Sequence, residues 1–267
     1  MTTFDLVVKN VRVVNADAAE VATLDLGIKD GSFARIAPGI DTADAAVVID
    51  GGGKLAFPGV IDVHQHWGIY NDLSDDTSSE SKASAQGGVT TGITYMRTGQ
   101  YYMNRTGPYR EFIPHVLAAS ESRSYVDYAF HIAPILKQHI DEIPDIIDDF
   151  GIPSFKIFMY SRGGEGLRIG LPDIDDGFLF RLAEAVVQSG GVLCPHCENI
   201  EVAWVLGRRA MAADPEGKGG LAAWNNSRPP FVEAEAVHRV AAYYIAFLRL
   251  RLIMSFRGFA DSRPLPM

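Results

Sequence analysis

The sequence predicts an α/β protein whose parallel-sheet part follows a small β-rich unit. Three observations predict it. Short β-rich runs separated by Asn, Asp and Gly turns fill the first fifty residues, continuous apolar runs recur at wide spacing afterwards, and amphipathic segments separate those runs. Continuous rather than alternating hydrophobicity marks strands covered on both faces, as in parallel sheets flanked by helices.

The N-terminal unit is read from Leu6 to Lys9, Val11 to Val14, Leu24 to Ile28 and Ala46 to Ile49, and it is expected to be β-sandwich-like. After Gly51-Gly52-Gly53 come the runs Gly59 to His64, Val89 to Tyr95, Tyr128 to Ile132, Ser154 to Met159 and Gly191 to Pro195. The spacing predicts a helix over 178–189, with Phe178, Leu179, Leu182, Ala185 and Val186 on one face, Asp175-Asp176 at its start and Gly190 past its end. A further helix is expected after Arg228-Pro229-Pro230, because proline suits a first turn and Val237, Val240, Ala241 and Tyr244 repeat helically. These elements make about five strand–helix units, three short of a closed eight-unit barrel.

Composition narrows the function. The 267 residues are 47% hydrophobic and carry 24 basic against 33 acidic side chains, a formal charge of −9. Such a chain is a poor partner for nucleic acid or anionic lipid. The first residues have neither the basic start nor the apolar stretch of a signal peptide, and no apolar run is long enough for a membrane span, so a cytoplasmic protein is expected. The two cysteines, Cys194 and Cys197, stand in one Cys-x-x-Cys, which rules out a disulfide framework and leaves metal or thiol redox chemistry open. From Ile245 to Met267 the chain carries Arg249, Arg251, Arg257 and Arg263 with one acid, Asp261, unlike the acidic remainder.

Chemistry is most legible at strand ends. His64 and His66 follow an apolar run, and residues i and i+2 of an extended chain project to the same side, so both imidazoles can reach one metal ion; the alternative is a pair of polar histidines at a strand exit. Lys156 lies inside an apolar strand, where it either snorkels to the surface or sits desolvated, neutral and able to take up carbon dioxide as a carbamate. His196 ends another buried run within Cys194-Pro195-His196-Cys197, which read alone also resembles a thiol–disulfide motif. His115, His131, His139 and His238 lack comparable spacing and are read as structural or surface residues, His131 lying near a strand end. The loop from Gly99 to Arg110, rich in Tyr and Asn, reads as a solvated loop or as part of a substrate pocket.

Five segments in order carry a resemblance. They are Phe57-Pro58-Gly59-Val60-Ile61-Asp62-Val63-His64-Gln65-His66, Gly87-Gly88-Val89-Thr90-Thr91, Ser154-Phe155-Lys156-Ile157-Phe158-Met159, His196-Cys197-Glu198-Asn199, and Arg228-Pro229-Pro230 with Glu233-Ala234-Glu235-Ala236. Together they resemble the dihydropyrimidinase and D-hydantoinase family of cyclic amidohydrolases, within the metal-dependent amidohydrolase superfamily. The resemblance implies an incomplete TIM-type (β/α)8 barrel preceded by an N-terminal β-sandwich segment. It divides the chain into that segment over 1–55, the first part of the barrel over 56–244, and a tail over 245–267 without family likeness.

The resemblance also implies two divalent metal ions, of the zinc type. His64 and His66 would bind the first, Lys156 as a carboxylated lysine would bridge both, and His196 would bind the second. The implied reaction is hydrolysis of a cyclic amide or imide C–N bond, hydroxide on the metals attacking a ring carbonyl, in a protein whose family members are homo-tetramers. Departures accompany it. The family's sixth-strand histidine and eighth-strand aspartate have no counterparts, since no histidine follows His238, and the sixth strand should fall near Leu250 to Phe256. A C-terminally truncated or frame-shifted member, inactive for want of those ligands, is therefore an expectation, and a non-catalytic dihydropyrimidinase-related assembly protein is the alternative. The family's oxyanion-binding tyrosine falls at Ser161, which leaves Tyr160, one residue earlier, as the substrate-binding candidate, with a core position as its alternative. Gly68 stands where a dihydroorotase would carry an arginine, which disfavours that activity.

Overall fold

The structure is a computed structural model that describes residues 3–15, 20–43 and 45–247. The expected sixth strand near 250–256, Asp261 and the basic tail beyond 247 lie outside the described residues. By internal contacts the chain divides into two units, Met1–Val60 and Ile61–Met267. Among the described residues no helix is long and apolar enough to cross a membrane.

The first unit is one mixed sheet. β1 (Phe4–Val13), β2 (Ala22–Lys29), β3 (Ser32–Ala37) and β4 (Ala45–Asp50) lie in the order β3-β2-β1-β4, and β5 (Leu55–Ala56) pairs with the far end of β1. β2 and β3 run antiparallel to their neighbours, whereas β4 and β5 run parallel to β1. The two runs read as separate strands, Leu6 to Lys9 and Val11 to Val14, are one strand interrupted by an irregularity between Val8 and Val11, where Asn10 takes a φ of 54°. That kink turns the Asn10 N–H out of the ladder, and the Asp25 carboxylate on β2 accepts it at 2.8 Å.

Asp25 is the polar anchor of this unit. It is 5% exposed and also accepts from Lys9 Nζ at 2.7 Å and the Ile40 N–H at 2.9 Å, while Lys9 reaches the Ile40 carbonyl. Every acceptor direction needed to offset its burial is used. Beside it Phe4, Val7 and Ile40 form a small apolar cluster. Val47, Val48 and Ile49 on β4 stay exposed, so the described residues supply one layer of the expected sandwich.

The second unit carries a curled five-stranded sheet in sequential order. β6 (Val60–Gln65), β7 (Val89–Met96), β8 (Asp127–Ile132), β9 (Ser154–Phe158) and β10 (Val192–His196) are neighbours in that order, with β7 to β10 pairing in parallel. This half-barrel reproduces the five apolar runs almost residue for residue. Its crossovers are α1 (Leu73–Gln86) after β6, α2 (Tyr109–Ser120) after β7, and α3 (Lys137–Asp141) with α4 (Ile143–Phe150) after β8. α5 (Asp176–Gln188) follows β9, and α6 (Ile200–Ala213), α7 (Gly220–Asn226) and α8 (Pro230–Ala246) follow β10.

The expected helix at 178–189 is α5, begun two residues earlier because the Asp175 side chain caps it, accepting the Phe178 N–H at 2.6 Å. Its buried face is Phe178, Leu179, Leu182, Ala183, Val186 and Val187, packed with Phe155, Ile157 and Leu193 in the main core. Each of these side chains except Ala183 contributes roughly 1.5–3 kcal/mol by leaving water. α8 starts at Pro230 as expected, but buries Val232, Ala236 and Val240 rather than the stripe through Val237 and Ala241. Arg239 of α8 donates to Asp176 of α5 at 3.0 Å.

The Asp25 network predicts an acid-sensitive first unit. Its hydrogen bonds hold the Asp25 carboxyl below the usual carboxylate range, the Lys9 ammonium contributing most. A depressed folded-state value means stabilisation that is complete at neutral pH and is lost as pH falls through it. Asp25→Asn should cost about 1–3 kcal/mol at pH 7, and its difference from the parent, read by urea unfolding, should shrink below about pH 4. An undiminished difference at low pH would contradict this.

Candidate metal centre

The C-terminal end of β6 places His64 and His66 beside one another, ring centroids 4.9 Å apart and edge to face. Tyr95 of β7 lies against both, at 6.0 and 4.7 Å, and His131 of β8 lies 5.6 Å from His64. Lys156, midway along β9, is fully buried, its Nζ 5.2 Å from the Phe158 ring, so it does not snorkel. His196 ends β10 with its ring 5.0 Å from Tyr160 and 6.2 Å from Phe158. His64, His66, Lys156, Tyr160 and His196 all line one cavity of about 710 Å³. Parallel strands point their C-terminal ends to one rim, and residues far apart in sequence meet there.

Protonation favours donor chemistry at this rim. Burial holds His64 down to about 2, with the charges of Lys156, His66, His131 and His196 adding to the effect. Its imidazole is therefore neutral, the form that ligates a metal. His64 Nδ1 is buried without a hydrogen-bond partner. Among the described residues no three His, Cys, Asp or Glu side chains are gathered closely enough to hold a metal by themselves. The donor set at the cavity is instead three histidines and a lysine, and it fits a divalent cation when Lys156 is neutral or carboxylated.

Behind His196 stands a charged support. Glu198 Oε2 is 3.7 Å from His196 Nε2, and its Oε1 accepts from Arg228 Nε at 2.8 Å. The Arg228 guanidinium lies 3.6 Å over the Trp224 ring. Burial alone would push the Glu198 carboxyl up, but His196 and Arg228 hold it below the usual range, so it stays ionised. Glu198 and Arg228 stand within the motifs singled out above, without a role read for them. Tyr95 and His131 carried no spacing signal, because a single side chain per strand leaves none.

Tyr160, and not Ser161 at the position the resemblance implies, faces the cavity. β9 stops at Phe158, yet Lys156, Phe158 and Tyr160, two residues apart, all line the same cavity. Ser161 is fully buried, donating its hydroxyl to the Pro172 carbonyl at 2.8 Å while its own carbonyl accepts the Ile174 N–H. Tyr160 lies against the cavity, and burial pushes its hydroxyl up to about 12, which keeps the phenol a donor at neutral pH.

The remaining readings separate cleanly. Burial pushes the Cys194 thiol up and the Cys197 thiol to about 12, opposite to the lowered value a thiol–disulfide motif needs. His115 and His238 are exposed, and His139 is buried with Nδ1 accepting the Ile135 and Leu136 N–H groups. In the 99–110 loop Tyr102 and Tyr109 are core residues, whereas Tyr101 and Asn104 line a separate cavity of about 380 Å³.

No family model matches the chain. In sequence it is similar to the D-hydantoinase of Rhizobium radiobacter, 34% identical over 243 residues that cover 89% of this chain and 49% of that protein. It is also similar to an allantoinase of Escherichia coli, 30% identical over 245 residues, 89% of this chain and 50% of that one. In structure it is similar to the L-hydantoinase (dihydropyrimidinase) of Arthrobacter aurescens, with a TM-score of 0.75 and 30% identity over 94% of this chain and 52% of that one. The chain spans about half the length of the curated relatives it matches.

The different surroundings of Tyr160 and Ser161 predict unequal stability effects. Ser161→Ala removes a buried hydrogen bond and should cost about 1 kcal/mol, whereas Tyr160→Phe should stay within about 0.5 kcal/mol. Urea midpoints would measure both, and a larger loss for Tyr160→Phe would reverse the assignment.

Proposed function

We propose, for a chain similar in sequence to a D-hydantoinase and an allantoinase and in fold to hydantoinases, that its cavity is the metal-dependent hydrolytic site of a cyclic amidohydrolase. The observation that carries the reading is the convergence of His64, His66, Lys156 and His196 on one cavity at the strand ends. A scaffold has no need of four potential donors there.

His64 and His66 are proposed to hold a first divalent cation through neutral imidazoles, and His196 a second. Lys156, if its neutral amine added carbon dioxide and released a proton, would supply an anionic carboxylate donor to such ions, which would offset the cost of burying it. Zinc-type ions bound there supply Lewis-acid polarisation of a ring carbonyl and lower the pKa of water near neutrality. The residues of the chain do the rest. Tyr160 would donate a hydrogen bond to the oxyanion that develops as the elements of water add across the ring C–N bond, hydroxyl to the carbonyl carbon and a proton to the leaving nitrogen. Glu198, held by Arg228, balances charge behind His196 and fixes its ring. The cavity is lined by both signs of charge and by Phe158, Ile200 and Trp224, a surface suited to a small, flat, uncharged cyclic amide or imide.

For the 267-residue chain by itself, the first cation is expected to bind more tightly than the second, whose protein donors in this set are Lys156 and His196 alone. Weak occupancy of the second site would make turnover slow or absent.

Metal analysis after zinc loading should find at least one tightly held ion per chain, and Lys156→Ala should lose the second. Ring opening of hydantoin or dihydrouracil, followed by ultraviolet absorbance, should depend on that loading. No metal uptake and no turnover would sink the reading and favour the assembly-protein alternative.

Tyr160→Phe should lower kcat by about a hundredfold with little change in metal content. An unchanged kcat would remove Tyr160 from the site.

A further inference from the structure

Inside the curled sheet one histidine ties together strands that carry the site. His131 on β8 is 2% exposed, and its two ring nitrogens face different partners. Nε2 lies 2.7 Å from the Val63 carbonyl oxygen of β6, and Nδ1 is hydrogen-bonded to the Ser154 hydroxyl of β9. A carbonyl can only accept, so Nε2 carries the proton, Nδ1 accepts, and Ser154 donates to it. The Cys194 thiol of β10 lies 3.6 Å from Ser154 Oγ and donates in turn. Four strands are thus joined by one directed chain, Cys194 to Ser154 to His131 to Val63.

We infer that His131 is a positioning residue for the histidine pair, fixing the Val63–His64 peptide from which His64 and His66 project. This rests on the reading of those histidines as metal donors. β6 ends the strand order, with a sheet neighbour on one side only among the described residues, so the bond from His131 supplies a restraint that the sheet does not. Val63 immediately precedes His64, and a rotation of that peptide would swing the His64 ring. An apolar side chain would fill the volume at His131 without directing the peptide. The cost of burying an imidazole is offset because both nitrogens are satisfied.

His131→Gln keeps an N–H group near the Nε2 position, whereas His131→Asn keeps only an acceptor near Nδ1 and loses Val63. Hydrogen–deuterium exchange on the metal-free protein should therefore rise across residues 61–67 in the Asn variant and stay at the parent level in the Gln variant. Cobalt titration should show affinity about tenfold lower for Asn with an altered visible spectrum, and near-parent behaviour for Gln. Equal behaviour of the two variants in both measurements would overturn the inference. If His131→Asn does not fold, the Gln variant alone decides: parent-like exchange supports positioning, raised exchange refutes it. A parent protein that takes up no cobalt would defeat the metal reading, while the exchange comparison would still decide the role of His131.

Discussion

A parallel sheet that curls sends the C-terminal ends of all its strands to one rim, and the whole candidate site depends on that constraint. His64 and His66 leave β6, Tyr160 follows β9, and His196 ends β10, yet they line one cavity because each strand delivers its last residues to the same edge. The core below makes the delivery rigid. Phe155, Ile157 and Leu193 are fully buried against α5, so the strands cannot slide without opening that packing.

Burial then decides the chemistry of what the rim presents. The desolvation that keeps His64 neutral also raises the thiols of Cys194 and Cys197, so one environment favours nitrogen donors and disfavours redox sulfur. Cys194 spends its sulfur in the chain through Ser154 to His131 rather than in exchange with Cys197. Two connected polar sets adjoin the candidate donors, the His131 chain through Ser154 and Val63 and the Glu198–Arg228–Trp224 stack beside His196.

Much of the fold was legible because its signals are local. Five apolar runs became five strands, and the period through Phe178, Leu179 and Leu182 became α5 with its aspartate cap. Where reading failed, a non-local effect had intervened. The break between Val8 and Val11 looked like a turn but is a kink stabilised by Asp25 on another strand, and α8 buries Val232, Ala236 and Val240, a face set by what packs against it. Of the candidate site, the donors were legible through strand-end position and motif order, whereas Tyr95 and His131 were not, since one polar residue in an apolar run has no pattern.

By itself the sequence determined the α/β class, the strand–helix succession and the residues His64, His66, Lys156 and His196 as candidates, because periodicity, caps and i,i+2 spacing act within a few residues. Only the tertiary structure decided that these residues share a cavity, that Tyr160 rather than Ser161 faces it, and that His131 grips the peptide before His64. Those outcomes depend on where a strand ends and on which carbonyl lies across the sheet, and such distances exist only once the strands have curled together.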